Sequence, residues 1–225
     1  MRHQRGVAKA IRTRRSVRHY LPDPIPEARL TELLDLALEA PSSWNFQSRS
    51  IVAVSDPDGR AGLARAAGGQ PQLTEAPVTL VFVAEPEAWR AGTDDVFDLA
   101  RRNRAWSEDA IAMFAEAGHE FQVDLERRGL LREYAVKDAM IAASYAMLAA
   151  EDMGLATCPM NGWDENEVKK VIGVDDRDDL AIALLLAVGR PAEHRRHPGR
   201  KPLTRKASRN RYVTGGLGEP ALSAG

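Results

Sequence analysis

Cysteine is almost missing from this 225-residue chain. Cys158 stands alone, so no intrachain disulfide can form, and a reducing cytosol is the expected compartment. Long apolar runs are missing as well: the longest, residues 180–188, is of strand length and far short of the roughly 18 residues that a bilayer span needs. Met1-Arg2-His3-Gln4-Arg5 leads into further charge and lacks the apolar segment of a secretory signal. Net charge is nearly absent, with 31 Lys and Arg against 32 Asp and Glu. That balance excludes a uniformly basic nucleic-acid binder and a disordered acidic chain. The expectation is a cytoplasmic globular protein of one domain over residues 1–225.

Several catalytic signatures are absent too. No G-x-G-x-x-G follows a strand and no G-x-x-x-x-G-K-[ST] occurs, so neither a Rossmann turn nor a P-loop is signalled. There is no H-E-x-x-H and no G-x-S-x-G, and the five histidines make no ligand set, so no metal is expected. Cys158, between Thr157 and Pro159 in an apolar stretch, reads as a packed residue before it reads as a nucleophile.

The charge that is present is uneven. Residues 1–22 hold seven basic residues and no acid, and residues 194–211 hold eight and no acid. The 171 residues between them carry 31 of the 32 acids. Two cationic ends on an anionic body can pair with it as solvated surface, converge on a phosphate, or wrap a nucleic acid.

Along the chain, residues 26–40 read as a helix, with Pro26 at its first turn and Leu30, Leu33, Leu34, Ala37 and Leu38 on one face. Residues 51–54 read as a short strand, and 56–67 as a helix capped by Asp56. Residues 78–84 read as a strand buried on both faces. The charged stretch 94–132 reads as one or two helices broken at Gly118 and Gly129, a candidate lid. Residues 138–153 leave no polar face, which places that helix in the core or against a partner subunit. Residues 157–163 read as a loop before a helix capped at Asp164, and residues 181–188 as the last strong strand. The basic C-terminal extension, 194–225, has no packing pattern of its own and could order by adding to another protomer. The fold class is α+β: a small mixed sheet of about four strands covered by helices.

Three polar clusters stand out. In Arg14-Arg15-Ser16-Val17-Arg18, guanidiniums and a hydroxyl suit a phosphate or an anionic ring edge, and equally a basic helix end on the surface. In residues 41–47, Pro41-Ser42-Ser43-Trp44-Asn45-Phe46-Gln47, carboxamides can read a heteroaromatic edge and the aromatics can border a planar ring; an ordinary turn is the plainer reading. In Cys158-Pro159-Met160-Asn161-Gly162, the glycine allows close backbone approach to a ligand, or simply closes a loop.

Together and in this order, the clusters resemble the FMN-dependent nitroreductase family. Arg14-x-Ser16-x-Arg18 matches its R-x-S-x-R, Pro24-Ile25-Pro26 its P-[IV]-P entry, and Ala40-Pro41-Ser42-Ser43-x-Asn45-x-Gln47 its A-P-S-[AS]-x-N-x-Q. Thr157-Cys158-Pro159-Met160-x-Gly162 is similar to the T-C-P-M-x-G loop of one branch, and Arg200-Lys201-Pro202-Leu203 to a basic C-terminal element. The resemblance spans residues 8–205 and is weakest over 94–132.

The resemblance implies a homodimer with FMN at its interface and the C-terminal tail exchanged between protomers. It implies that Arg14, Arg15, Ser16 and Arg18 meet the phosphate and pyrimidine edge, with Arg200 and Lys201 closing on the phosphate. Pro41, Ser42, Ser43, Asn45 and Gln47 approach from the other subunit, and Pro159, Met160, Asn161 and Gly162 lie along the ring. It further implies ping-pong transfer of two electrons from NAD(P)H through flavin N5 to a nitroaromatic, quinone or related acceptor. No protein acid or base is then needed, and no catalytic residue is assigned. Neither a membrane nor a nucleic-acid partner is expected.

Three positions depart from the family pattern. Gln47-Ser48-Arg49 stands where Q-P-W is common, Asn161 where Glu or Gly is common, and Pro198 where a basic residue is usual. Two other readings stand beside this one: the resemblance also allows a different flavin reaction on the same scaffold, such as reductive dehalogenation or flavin destruction, and the residues alone allow a nucleic-acid binder using its basic ends.

Overall fold

The computed structural model describes residues 6–213; Arg2 and Arg5 of the basic N-terminal run and positions 214–225 of the extension lie outside the described residues. Two units divide the chain, Met1–Arg195 and Arg196–Gly225. Among its described residues the second has one 3-10 turn, Leu203–Arg205, and leaves Leu203 and Tyr212 exposed.

In the first unit, α1 (Val7–Thr13) and α2 (Glu27–Leu38) precede β1 (Arg49–Val54), α3 (Pro57–Ala66), α4 (Gln72–Glu75) and β2 (Val78–Ala84). Then come α5 (Asp94–Arg102), α6 (Glu108–Arg127), α7 (Leu131–Asp152), β3 (Ala156–Met160), α8 (Glu165–Val171) and β4 (Ala181–Gly189). The strand order is β1-β2-β4-β3. A mixed sheet is the sequence expectation, but among the described residues every strand pairing is antiparallel, and the one parallel element is an isolated bridge between Ser16 and Thr157.

The central strands β2 and β4 are buried along their whole length, which is why they read as unbroken apolar runs. Their alternate residues serve two cores. Leu80, Phe82, Leu184 and Leu186 pack against Leu33 and Ala37 of α2 and the alanine stripe Ala139, Ala142, Ala143 and Ala146 of α7. Val81, Val83 and Leu185 pack against Leu63 of α3, Leu73 of α4 and Val168 of α8. Small side chains on α7 let its backbone approach the sheet closely. Its outer face is not wholly covered, since Ile141 and Tyr145 are exposed.

Both expected N-caps are present: Asp56 accepts the Gly59 N–H at 2.6 Å and Asp164 that of Glu167 at 3.0 Å. Four readings change. Helix α1, for which no helix was expected, is capped by no side chain and buries only Ala10. Helix α7 starts seven residues before 138, in turns that bury Ala135 and are tied on their outer side by Glu133 and Lys137 at 2.8 Å. The first half of the expected loop 157–163 is β3, where Pro159 is tolerated because β3 is an edge strand. Gly118 is no break; it lies buried within α6, where a Cβ would come 2.7 Å from Phe46 Cζ. Gly129 does end α6, at φ +67°. Among the described residues no helix is long and apolar enough to cross a membrane, and no His/Cys/Asp/Glu group is placed to hold a metal.

Candidate functional site

The first and third clusters meet at the β3 edge. Ser16 bridges to Thr157, and the Val17 N–H donates to the Thr157 carbonyl at 3.1 Å. Tyr20 anchors the segment from below: its hydroxyl, pushed up in pKa chiefly by burial, donates to the Val17 carbonyl at 2.7 Å. The chain past β4 closes over it, with the Leu21 N–H on the Arg190 carbonyl and the Ala192 N–H on that of His19, both at 2.9 Å. Arg14, Arg15 and Ser16 are therefore half-buried beside β3, while Arg18, Asn161 and Gly162 are exposed.

Cations concentrate there. Arg18, Arg195 and Arg14 all act electrostatically on the Cys158 thiol, yet burial outweighs them and pushes the thiol up. Cys158 is thus a packed, inert residue. Glu193 accepts the Arg18 N–H at 2.8 Å and Arg195 Nε at 2.7 Å, and these two donors hold its carboxyl below the usual range. The Arg15 guanidinium is fixed by the Arg12 and Arg14 carbonyls, both 2.8 Å from Nη1, while its buried Nε–H has no acceptor among the described residues.

The chain after β3 is held from α4 and its approach. Gln70 Nε2 donates to the Asn161 carbonyl at 3.3 Å, and Gln72 Nε2 to Met160 Sδ at 3.0 Å. The Met160 side chain is consequently core, and only its main chain can border a ligand. Gly162, at φ +83°, has no atom within 4 Å of where a Cβ would stand. Glu193, Arg195, Gln70 and Gln72 have no motif around them; only the fold reveals their place.

The second cluster lies elsewhere. Residues 42–47 precede β1, at the same end of the sheet as Met160 but at the opposite edge. Three interstrand steps separate the edges, about 14 Å. Trp44, Asn45 and Gln47 all have left-handed backbone, at φ 53°, 57° and 53°, a concentration of strain typical of functional segments. Ser42 Oγ accepts the Gln47 N–H at 2.9 Å, and Asp138 on α7 accepts the Ser43 N–H at 3.2 Å. The two aromatics pack against α6. Trp44 packs on Phe114 and Phe121 of α6 at 5.9 and 6.1 Å, and Phe46 is buried against Gly118. Asn45 and Gln47 remain exposed, as does Pro41. Arg200 and Lys201 belong to the second unit and are exposed; Arg200 Nη1 donates to the Gly199 carbonyl at 2.7 Å.

The donors fall into two kinds. Guanidiniums and a serine on the β3 edge suit a phosphate; serines and carboxamides on the β1 edge suit a ring with mixed donors and acceptors. The model of the nitroreductase family matches residues 11–190. The chain belongs to the nitroreductase family. Arg200 and Lys201 lie outside the matched span.

Relatives of this nitroreductase-family chain include an NADH dehydrogenase of Thermus thermophilus, 37% identical over 195 residues that cover 85% of this chain and 90% of the relative. An FMN reductase [NAD(P)H] of Bacillus subtilis is 26% identical, with 87% and 70% covered. A crystal structure from Exiguobacterium sibiricum, determined in complex with FMN, superposes with a TM-score of 0.81 at 22% identity, covering 91% and 97% of the two chains. That likeness establishes the fold.

Proposed function

We propose that this oxidoreductase binds FMN and passes two electrons from NAD(P)H to a nitroaromatic, quinone or related acceptor in a ping-pong sequence, as a homodimer with the flavin at its interface. The observation that carries the reading is the separation of the two donor sets. Within one chain, Asn45 and Gln47 stand at the edge opposite Arg14 and Arg18. A second copy can bring its β1 edge to the first copy's β3 edge. An exposed apolar face supports such pairing: Val7 and Ile11 of α1, Leu36 and Leu38 of α2, and Ile141 and Tyr145 of α7 are all more than a third exposed in the single chain.

The residues fit the cofactor. Arg14, Arg15, Ser16 and Arg18 bind its phosphate and pyrimidine edge, and the Arg15 Nε–H is a donor still lacking an acceptor. Arg200 and Lys201 of the basic extension, exchanged between protomers, add charge at the phosphate. Ser42, Ser43, Asn45 and Gln47 of the other copy bind the ring edge, with Pro41 beside them. Pro159, Met160, Asn161 and Gly162 line the ring through their main chain. FMN, when bound, supplies two-electron redox chemistry at its ring. The Arg18 main chain is pinned to Glu193 while its guanidinium stays exposed, so Arg18 would be the residue to offer a positive charge to the ring edge that gains electron density. No side-chain acid or base is needed, because solvent can deliver the proton that completes reduction of the acceptor. The segment 94–132 is a candidate lid, and its helix α6 packs on Trp44 and Phe46.

An absorbance spectrum of the purified protein, repeated anaerobically after NADPH and then NADH, tests this. Flavin bands that bleach are expected. Bands that do not bleach would leave the cofactor and remove the reductase; a colourless protein that takes up no added FMN would remove both.

A further inference from the structure

Arg49 opens an edge strand and is only 5% exposed. An arginine buried there needs acceptors, and the end of α2 supplies them. Helix α2 has no basic residue in its last turn to meet its unpaired carbonyls. The Arg49 guanidinium takes that role: Nη2 donates to the carbonyls of Leu38, at 3.1 Å, and Ala40, and Nη1 to that of Pro41 at 3.5 Å. Across from it lies Asp138 of α7, 9% exposed, which interacts electrostatically with Arg49 and receives the Ser43 N–H on both oxygens at 3.2 and 3.4 Å. The Arg49 N–H closes the far side on the Gln47 carbonyl at 2.6 Å.

Two buried opposite charges therefore bracket residues 41–43, directly ahead of the left-handed run Trp44, Asn45 and Gln47. Backbone strain of that kind persists only where its surroundings hold it. The α6 aromatics hold Trp44 from outside; Arg49 and Asp138 hold the segment from inside.

We propose that Arg49 and Asp138 are positioning residues that fix residues 42–47 in the shape presenting Asn45 and Gln47 to the flavin, an inference that rests on reading this segment as flavin-binding. Neither side chain touches the cofactor; each acts through the backbone of the segment. The affinity for FMN and the flavin's optical environment therefore depend on two groups buried behind the site.

The test uses the full chain, stripped of flavin and titrated with FMN, as wild type, Arg49→Gln, Arg49→Lys, Asp138→Asn and the Arg49→Gln/Asp138→Asn double variant. Dissociation constants come from flavin fluorescence, visible spectra are recorded at saturation, and folding and dimer mass are checked by far-UV circular dichroism and light scattering. Arg49→Gln and Asp138→Asn should each weaken FMN binding about tenfold and alter the flavin band shape, with the double variant well short of the hundredfold that independent effects would give. Arg49→Lys should restore most of the affinity and the wild-type band shape. If Arg49→Gln fails to fold, the near-isosteric Asp138→Asn decides. A folded Asp138→Asn protein with wild-type FMN affinity and spectrum overturns the inference. A wild-type chain that takes up no FMN overturns the flavin reading itself, and the inference with it.

Discussion

At the β3 edge, residues 16–18 are held through their own main chain: the Ser16–Thr157 bridge, the Val17 N–H on the Thr157 carbonyl and the Arg18 N–H on the Glu193 carboxylate leave the Ser16 and Arg18 side chains out of these bonds. At the β1 edge the reverse holds. Residues 42–47 are kept in a strained backbone by side chains, with Arg49 and Asp138 behind them and Trp44 and Phe46 under α6. A binding segment built on backbone pairing can lose its side chains without losing its shape, whereas one built on side chains cannot. The two halves of the candidate site should therefore fail in different ways.

The strongest way to break this contrast is Arg49→Leu, which leaves Asp138 without its buried counter-charge and the α2 carbonyls without their side-chain donor. We expect a loss of about 3 kcal/mol in chemical denaturation. Adding Asp138→Leu should recover part of it, since the one buried charge left without a counter-charge is then gone. Next comes Gly118→Val, whose new Cβ would stand 2.7 Å from Phe46 Cζ. It should cost about 2 kcal/mol and speed proteolysis within α6 relative to the rest of the chain.

Arg18→Ala sharpens the contrast from the other edge. Stability should stay within about 0.5 kcal/mol of wild type, while FMN binding weakens by about tenfold through loss of a charge-assisted bond. An equal loss of stability would show that the β3 edge depends on side chains after all. The smallest effect belongs to Glu193, whose carboxyl is held below its ordinary value of 4.5 by Arg195 and the Arg18 N–H. A depressed carboxyl stabilises the fold above that ordinary value, and the contribution fades as pH falls through the lowered one. The gap between wild type and Glu193→Gln in denaturation midpoint should therefore be present at neutral pH and close below pH 4.5.

Much of the scaffold is legible in the sequence because its signals are local. Strand β2 matches the apolar run 78–84 residue for residue, and the caps at Asp56 and Asp164 are where the spacing puts them. Helix α1 is too short and too poorly buried to leave a pattern, and Pro159 disguises β3 as a loop. Gly118 reads as a break because the reason for it, Phe46, is 72 positions away in the chain. The candidate site shows the same limit. Motif order brings Arg14, Ser16, Asn45, Gln47 and Gly162 to notice, but the strand order that sends them to two edges is a property of the whole sheet. Likewise nothing near Arg49 in sequence says that it turns inward; that needs the end of α2 and Asp138 brought together in space.

Having the two donor sets on opposite edges makes each pocket of the proposed dimer a joint product of two chains, which has a genetic consequence. Arg18→Ala damages what a chain gives to one pocket, and Asn45→Ala what it gives to the other. Chains carrying the separate lesions, unfolded and refolded together in equal amounts, would form hybrid dimers in which one pocket is intact and the other carries both faults. About a quarter of all pockets would then be whole again, although neither parent has one. Two defective alleles in the same cell would partly rescue each other.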